Sequence, residues 1–319
     1  AQGAPLDDIR EGSNYVNAMM YGLDRLAALP LSLRLIREMH DRLLQSGRGQ
    51  GKSPGEFRRS QNWIGGPRPG NAMFVPPPPQ EVMPALDDLE KFIHAEKSDR
   101  PPLVKAGLIH VQFETIHPFL DGNGRLGRLL ITLYLCSQRV LQQPLLYLSL
   151  YFKTRRADYY RLLQEVREAG AWEAWLDFFL EGVASTANEA FNAATRIHAL
   201  MREDRERIAN RSDRASSVLR VHEALQTSPF LTAANAGQRT GLTKPTINAA
   251  FEELQKLGIV EEITKKRRGR VYAYRDYLAI LNEGAAPLDA AGTRKAASVF
   301  TRGTPPKPAR RKPGPQMRR

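Results

Sequence analysis

His117-Pro118-Phe119-Leu120-Asp121-Gly122-Asn123-Gly124-Arg125-Leu126-Gly127-Arg128 gathers, in twelve residues, the side chains needed to handle a phosphate chain. Backbone amides of a glycine-containing loop at a helix N-terminus form a positive concavity suited to an anion. Gly122 and Gly124 allow backbone conformations and close approaches that a side chain would block. Arg125 and Arg128 lie three apart on the helix that should follow, so both can face one phosphate chain, and guanidinium binds phosphate bidentately. Asp121 supplies one hard oxygen, which suits magnesium's habit of taking one or two carboxylates together with substrate phosphates. His117 enters just before the cradle and carries a side chain suited to general-base work. Taken singly, each has a plainer reading: a packed histidine, a turn, solvated arginines. Together they specify phosphate, metal and base.

The elements that must position these residues are mainly helical. Apolar residues recur at three- and four-residue spacing from Ser13 to Leu44, with a break near Pro30, and again over Met83–Ala95 and Leu103–Thr115. The polar stretch 117–124 interrupts this pattern, which resumes from Arg125 to about Val140. Tyr159–Arg167, Ala171–Phe179 and Val183–Ile208 complete an all-α body. Between 47 and 79, many glycines and prolines surround Trp63, Ile64, Met73, Phe74 and Val75, which suggests a long ordered loop with extended segments.

Asn210-Arg211-Ser212-Asp213-Arg214 marks a boundary. Beyond it, Ser216–Gln226 and Thr232–Gly237 read as short helices, and Thr243 as the N-cap of a third with Pro245 in its first turn. Val260–Thr264 and Val271–Tyr274 read as strands flanking Lys265-Lys266-Arg267-Arg268-Gly269-Arg270. Three helices followed by a basic hairpin describe a winged helix.

Composition narrows the class. The 319 residues carry 47 Lys and Arg against 34 Asp and Glu. Nine of the basic residues, and no acidic ones, lie between 293 and 319, which leaves 38 against 34 elsewhere. That proline-rich tail is expected to be a disordered basic appendage over 285–319, either solubilising or holding an acidic partner. One cysteine, Cys136, excludes an intrachain disulfide framework. No apolar run reaches membrane-spanning length, and Ala1–Leu6 lack signal-peptide character, so the expectation is cytoplasmic, with no membrane partner.

His117 through Arg128 reproduces the Fic motif, HxFx[D/E]GNGRxxR, in full, and the chain resembles the Fic family. Pro54-Gly55-Glu56-Phe57-Arg58 and Phe74-Val75-Pro76-Pro77 resemble the segments leading into and through the Fic flap, and Tyr159-Tyr160 falls where the family places tyrosines near the nucleotide base. The resemblance implies a Fic-type helical bundle with a small β-hairpin flap over 1–182, with a helical linker (183–214) and a winged helix-turn-helix domain (215–284) behind it. It further implies a protein adenylyltransferase that moves AMP from ATP to a Ser, Thr or Tyr hydroxyl of a target protein. Carried over by position, His117 is the base, Asp121 holds Mg²⁺, and residues Gly122 to Arg128, with Tyr159 and Tyr160, contact ATP. The flap Asn71, Ala72, Met73, Phe74 and Val75 pairs with an extended target segment by β-strand addition. Phe119 is expected to point into the core and fix the loop.

Many Fic proteins carry an inhibitory [S/T]xxxE[G/N] helix whose Glu pairs with the second motif arginine. Glu11-Gly12, Glu181-Gly182 and Glu283-Gly284 have Asp7, Asp177 and Ala279 at the Ser/Thr position, so none fits. The expectation is that nothing in this chain restrains it through Arg128. In the winged helix, Lys244, Thr246 and Asn248 are expected near the N-terminal end of a recognition helix, with Lys265, Lys266, Arg267, Arg268 and Arg270 on DNA phosphates. The alternative function is therefore a DNA-binding regulator whose Fic domain senses nucleotide or modifies only itself. The intact His117 favours transfer, and Gly124 argues against the Doc-like kinases, which carry a lysine-bearing variant of the loop. Homodimerisation is left open.

Overall fold

A computed structural model describes residues 4–95, 100–211, 214–264, 266 and 269–283, without side chains for 4–9. Three basic residues expected on the hairpin (Lys265, Arg267, Arg268) and the tail 285–319 lie outside the described residues. The chain forms two compact units, divided at Ala194/Thr195. Among the described residues, no helix is long and apolar enough to cross a membrane.

The first unit begins with α1 (Ala4–Leu26) and α2 (Leu33–Leu43). The break between them falls at Pro30, and Ser32 caps α2 by accepting from the Leu35 amide. A long loop holding a 3₁₀ turn at Pro69–Asn71 leads to α3 (Pro79–His94) and α4 (Pro102–Ile116). Both start on prolines, whose fixed φ and missing N–H suit a first helical turn. Lys105 lies buried and donates to the carbonyls of Ile93 (3.0 Å) and Ala95 (3.3 Å), a cation closing the C-terminus of α3. After α4 come α5 (Asn123–Ser137), the short α6 (Leu148–Thr154), α7 (Arg156–Ala169) and α8 (Trp172–Arg211).

α4 is buried on nearly every side, as its almost continuous apolar sequence requires, and packs against α5. α5 packs in turn on α1 and α2. Phe113, Phe119, Leu129, Leu130, Tyr134 and Trp175 are fully or almost fully buried in the core these helices share. The expected flap hairpin is reduced to one antiparallel bridge, Ile64↔Phe74, because Gly65 to Gly70 supply no further pairing residues. Ala171–Phe179 and Val183–Ile208 join into one helix, α8, because the glycine between them, Gly182, weakens a helix without ending it and packs closely against the Tyr151 ring.

The second unit takes α8 from Thr195 onward, then α9 (Ala215–Thr227), β1 (Phe230–Thr232), α10 (Ala233–Thr240), α11 (Lys244–Lys256), β2 (Val260–Glu262), β3 (Val271–Tyr274) and α12 (Arg275–Glu283). The sheet is antiparallel in the order β1-β3-β2, with Leu231 opposite Tyr272 and Val260 opposite Tyr274. β1 escaped the sequence reading because three residues carry too little periodicity. Thr243 stands at the N-cap of α11, but its hydroxyl bonds that of Thr246 (2.8 Å) and not a backbone amide. The core closes around Ile208, Val221, Phe251 and Tyr272. The Tyr274 hydroxyl donates to buried Asp204 (2.8 Å) and meets His222 Nε2 (3.1 Å).

Candidate active site

The turn between α4 and α5 is built from backbone outward. His117 sits at the C-terminal end of α4 with φ 48° and ψ 60°, a left-handed conformation unusual outside glycine, and Pro118 follows it. Phe119 then drops into the core, where its ring stacks on His40 of α2 at 3.7 Å between centroids and 11° between planes. His40 Nδ1 accepts from the Gly55 amide (2.9 Å), so Nε2 carries the proton and donates to the Asp121 carbonyl (2.9 Å). Asn123 closes the loop from the other side. Its Oδ1 accepts from the Phe119 amide (2.9 Å), and its Nδ2 donates to the Phe119 carbonyl (2.7 Å), as does Asn62 Nδ2 (3.0 Å).

Gly122, at φ 82°, is the residue before α5, and a Cβ there would lie 3.2 Å from His40 Nε2. No side chain caps α5, so its first amides, which have no intrahelical acceptor, stay open to an anion. Arg125 stands at this mouth, 3.3 Å from Glu11 of α1 and 3.5 Å from Asp121. Arg128 lies one turn on, its Nε donating to Ser149 of α6 (3.0 Å). Asp121 Oδ1 accepts from the Gly122 amide (2.5 Å), while Oδ2 has, among the described residues, Arg48 at 3.8 Å. Among the described residues, no cluster of three or more His, Cys, Asp or Glu could cage a metal ion. A single carboxylate with one lightly engaged oxygen, beside two arginines, fits a magnesium ion that takes its remaining ligands from phosphates and water.

Burial dominates the acid–base behaviour. It pushes the His117 imidazole down to about 4, with the Glu114 carbonyl beside it offsetting part of that effect and Arg167 and Arg58 adding to it. The ring is therefore neutral at physiological pH, with a lone pair free to accept a proton, while burial weakens its hold on that proton. Burial lifts Glu114, on the same face of α4, up to about 7 against the pull of Arg128 and Arg167. Glu114 Oε2 lies 3.9 Å from His117 Nδ1, and neither that Nδ1 nor Glu114 Oε1 has a hydrogen-bond partner.

The expected site residues separate under this geometry. His117, Asp121, Gly122, Gly124, Arg125 and Arg128 converge on the α4–α5 turn. Leu126 is fully buried, so its side chain belongs to the core. Gly127 faces inward, where a Cβ would meet Glu114 Oε1 at 2.5 Å, a packing position. Tyr159 is also corrected. It is buried, its hydroxyl bonds His110 (2.9 Å), and only Tyr160 stays at the surface, under the Arg156 guanidinium. Of the flap, Asn71 ends the 3₁₀ turn, Ala72 is half-buried, Met73 and Val75 are exposed, and Phe74 packs under Arg167 with the guanidinium carbon 3.8 Å from the ring centre. In the second unit Lys244, Asn248, Lys266 and Arg270 are exposed and Thr246 is half-buried.

Sequence reasoning gave no role to Glu11, His40, Glu114, Ser149 or Arg167, and named Arg58 only within the segment leading into the flap. One signal was available: Glu114 interrupts an apolar helix three residues before His117, where a buried acid needs a reason. The others reach the site from distant segments that carry no local mark.

The Fic/DOC family profile matches residues 30–135. The protein adenylyltransferase Fic of Drosophila grimshawi is 33% identical over 155 residues, which span 48% of this chain and 28% of that protein. Its Drosophila melanogaster counterpart is 31% identical over the same length and share of this chain. The chain thus matches less than a third of the length of these curated relatives. A crystal structure of a Fic family protein from Desulfovibrio desulfuricans shares the fold at a TM-score of 0.52 and 22% identity, covering 86% of this chain and 77% of that one.

Proposed function

We propose that the chain is a protein adenylyltransferase using ATP, on the strength of the Fic/DOC family profile that matches residues 30–135. The observation that carries this reading is a neutral His117, held in a left-handed turn directly before the uncapped, glycine-opened N-terminus of α5 with Arg125 and Arg128 on its first turns.

In the reaction, a target hydroxyl gives its proton to His117 Nε2 while its oxygen forms a bond to the α-phosphorus. The bond from that phosphorus to the α,β-bridging oxygen breaks, and pyrophosphate leaves. Arg125, Arg128 and the first amides of α5 hold the phosphates, so that most of the rate comes from positioning and charge neutralisation. Asp121 would hold a magnesium ion, which, when bound, supplies Lewis-acid neutralisation of phosphate charge. The exposed edge residues Met73 and Val75 would meet an extended segment of the target. Tyr160 is the tyrosine left to border the base.

The second unit supports a further reading. Its order helix, strand, helix, helix, hairpin supports reading it as a winged helix, and Lys244, Asn248 and Arg270 are exposed on it. We read it as a DNA-binding module, with α11 entering the major groove. The protein would then be a regulator if its Fic domain only senses nucleotide.

The deciding experiment incubates the protein with Mg²⁺ and cell lysate in parallel with α- and γ-labelled ATP, alongside His117→Ala. Label from the α-phosphate alone, lost in the variant, is expected. Label from the γ-phosphate would mean a kinase, and no label would leave the regulator.

A further inference from the structure

Two arginines that the motif does not contain converge on the end of α4. Arg58 is 4% exposed and pairs with no carboxylate among the described residues. Its guanidinium donates to four carbonyls: His117 (2.9 Å), Ile116 (3.3 Å), Ser60 (3.3 Å) and Pro77 (2.5 Å). Its own amide donates to Pro118 (2.9 Å). Ser60 and Pro77 are the two ends of the segment that carries the flap. Arg167, on α7, donates from Nη2 to the Glu114 carbonyl (3.1 Å) and from Nε to Thr115 Oγ1 (3.2 Å), while its guanidinium covers the ring of Phe74 in the flap. Burial lowers the affinity of both for their protons. A buried cation facing only carbonyls is costly, and a helix C-terminus, with its free carbonyls and negative pole, is the environment that compensates it.

We propose that Arg58 and Arg167 are positioning residues that fasten the flap and the left-handed turn of His117 into one rigid bracket, so that a target strand docked on the flap arrives at a fixed offset from the base. The proposal rests on the reading of His117 as the base and of the flap as the target edge. Each arginine grips both partners, one through the two ends of the flap segment, the other through its central aromatic ring. Among the described residues neither is hydrogen-bonded to Arg125 or Arg128, although Arg128 and Arg167 both act on the buried Glu114 carboxyl. A lysine in either place keeps the charge but loses the fork that reaches several acceptors.

The test uses the full chain with Arg58→Lys, Arg167→Lys and, from the flap side, Phe74→Leu. Affinity for AMPPNP, measured without any target protein because its α,β bridge is an ordinary cleavable oxygen, is expected to stay within about twofold of wild type. Transfer of label from saturating α-labelled ATP to lysate proteins is expected to fall about 10- to 100-fold, the scale of a displacement near 1 Å. In parallel, NMR follows the Met73 methyl and the His117 ring carbon, which report position without any turnover. Both signals should move together in each arginine variant, and Phe74→Leu should move the His117 signal as well. A variant that shifts one signal and leaves the other in place overturns the bracket, as does an equal loss of AMPPNP binding and transfer. Should the wild type transfer no label, the adenylyltransferase reading fails, while the paired NMR shifts still decide the bracket. Arg167→Lys and Phe74→Leu keep the test open if Arg58→Lys does not fold.

Discussion

Glu11 Oε2 lies 3.3 Å from Arg125 Nη1, so α1 places a carboxylate on the first motif arginine at the mouth where phosphates would enter. Both side chains are more than two-thirds shielded from solvent. Arg128 carries no such partner among the described residues and is held by the Ser149 hydroxyl instead. The motif's two arginines therefore start from different states: one must leave an acid, the other a hydroxyl.

Glu11→Gln should for that reason bind nucleotide more tightly. Removing a partly shielded ion pair worth about 1 kcal/mol corresponds to a roughly fivefold gain in AMPPNP affinity. Isothermal titration of both proteins at one salt concentration reads it, and equal or weaker binding by the variant would contradict the competition.

The stack of Phe119 on His40 fixes the turn from below, and its loss should be felt in stability as well as in function. Phe119→Ala removes a fully buried ring and should cost about 3–5 kcal/mol in a denaturant melt. A loss below 1 kcal/mol would mean that the turn holds itself.

Gly127→Ala is a sharper probe than its size suggests. The new methyl would lie 2.5 Å from Glu114 Oε1, inside a buried helix contact, so the Glu114 side chain or one of the two helices must give way. A destabilisation of about 1–3 kcal/mol is expected. Combining it with Glu114→Ala should restore part of that loss, whereas strict additivity would show that the clash lies elsewhere.

Stability should decline on mild acidification. His40, His110 and His117 are buried and neutral, with proton affinities pushed down to about 4, 3 and 4. The unfolded chain protonates them near pH 6.5, so it binds more protons than the fold as pH falls from there towards 4, and stability drops over that window. Glu114 acts in the opposite sense, because a carboxyl raised to about 7 penalises the fold as pH rises from about 4.5 to 7. With His222 of the second unit also lowered to about 4 by burial, four histidines outweigh Glu114 and the raised Asp204, and melting temperatures should fall steadily below about pH 6.5. Glu114→Gln should melt higher than wild type at pH 8 and equal to it near pH 4.5. A flat profile for both proteins would refute the burial argument.

Much of this fold could be read in advance because its strongest signals are local. The spacing of Leu35, Ile36, Met39 and Leu43 gives α2, Pro30 ends α1, and the motif His117 to Arg128 contains its own glycines, acid and arginines. What escaped reading depends on contacts between segments far apart in sequence. Tyr159 and Tyr160 are adjacent and chemically alike, yet the helix turns one towards His110 and the other towards solvent. β1 is three residues long and exists through its pairing with β3. Arg58 looks like any surface arginine until the end of α4 is laid against it, and Glu11 acquires a role through Arg125, more than a hundred residues away.

Asn123 and Gly124 form the dipeptide in which deamidation is chemically easiest, because a glycine amide nitrogen can reach the neighbouring side-chain carbonyl carbon with little hindrance. Here that side chain is 2% exposed and both its atoms are engaged with Phe119. Ring closure must wait until these two bonds open together and the first turn of α5 unwinds. The chemical lifetime of the protein at this position is thus set by how often the loop opens. A chain that aged there would carry an aspartate whose oxygen faces the Phe119 carbonyl, acceptor against acceptor, beneath its own phosphate cradle.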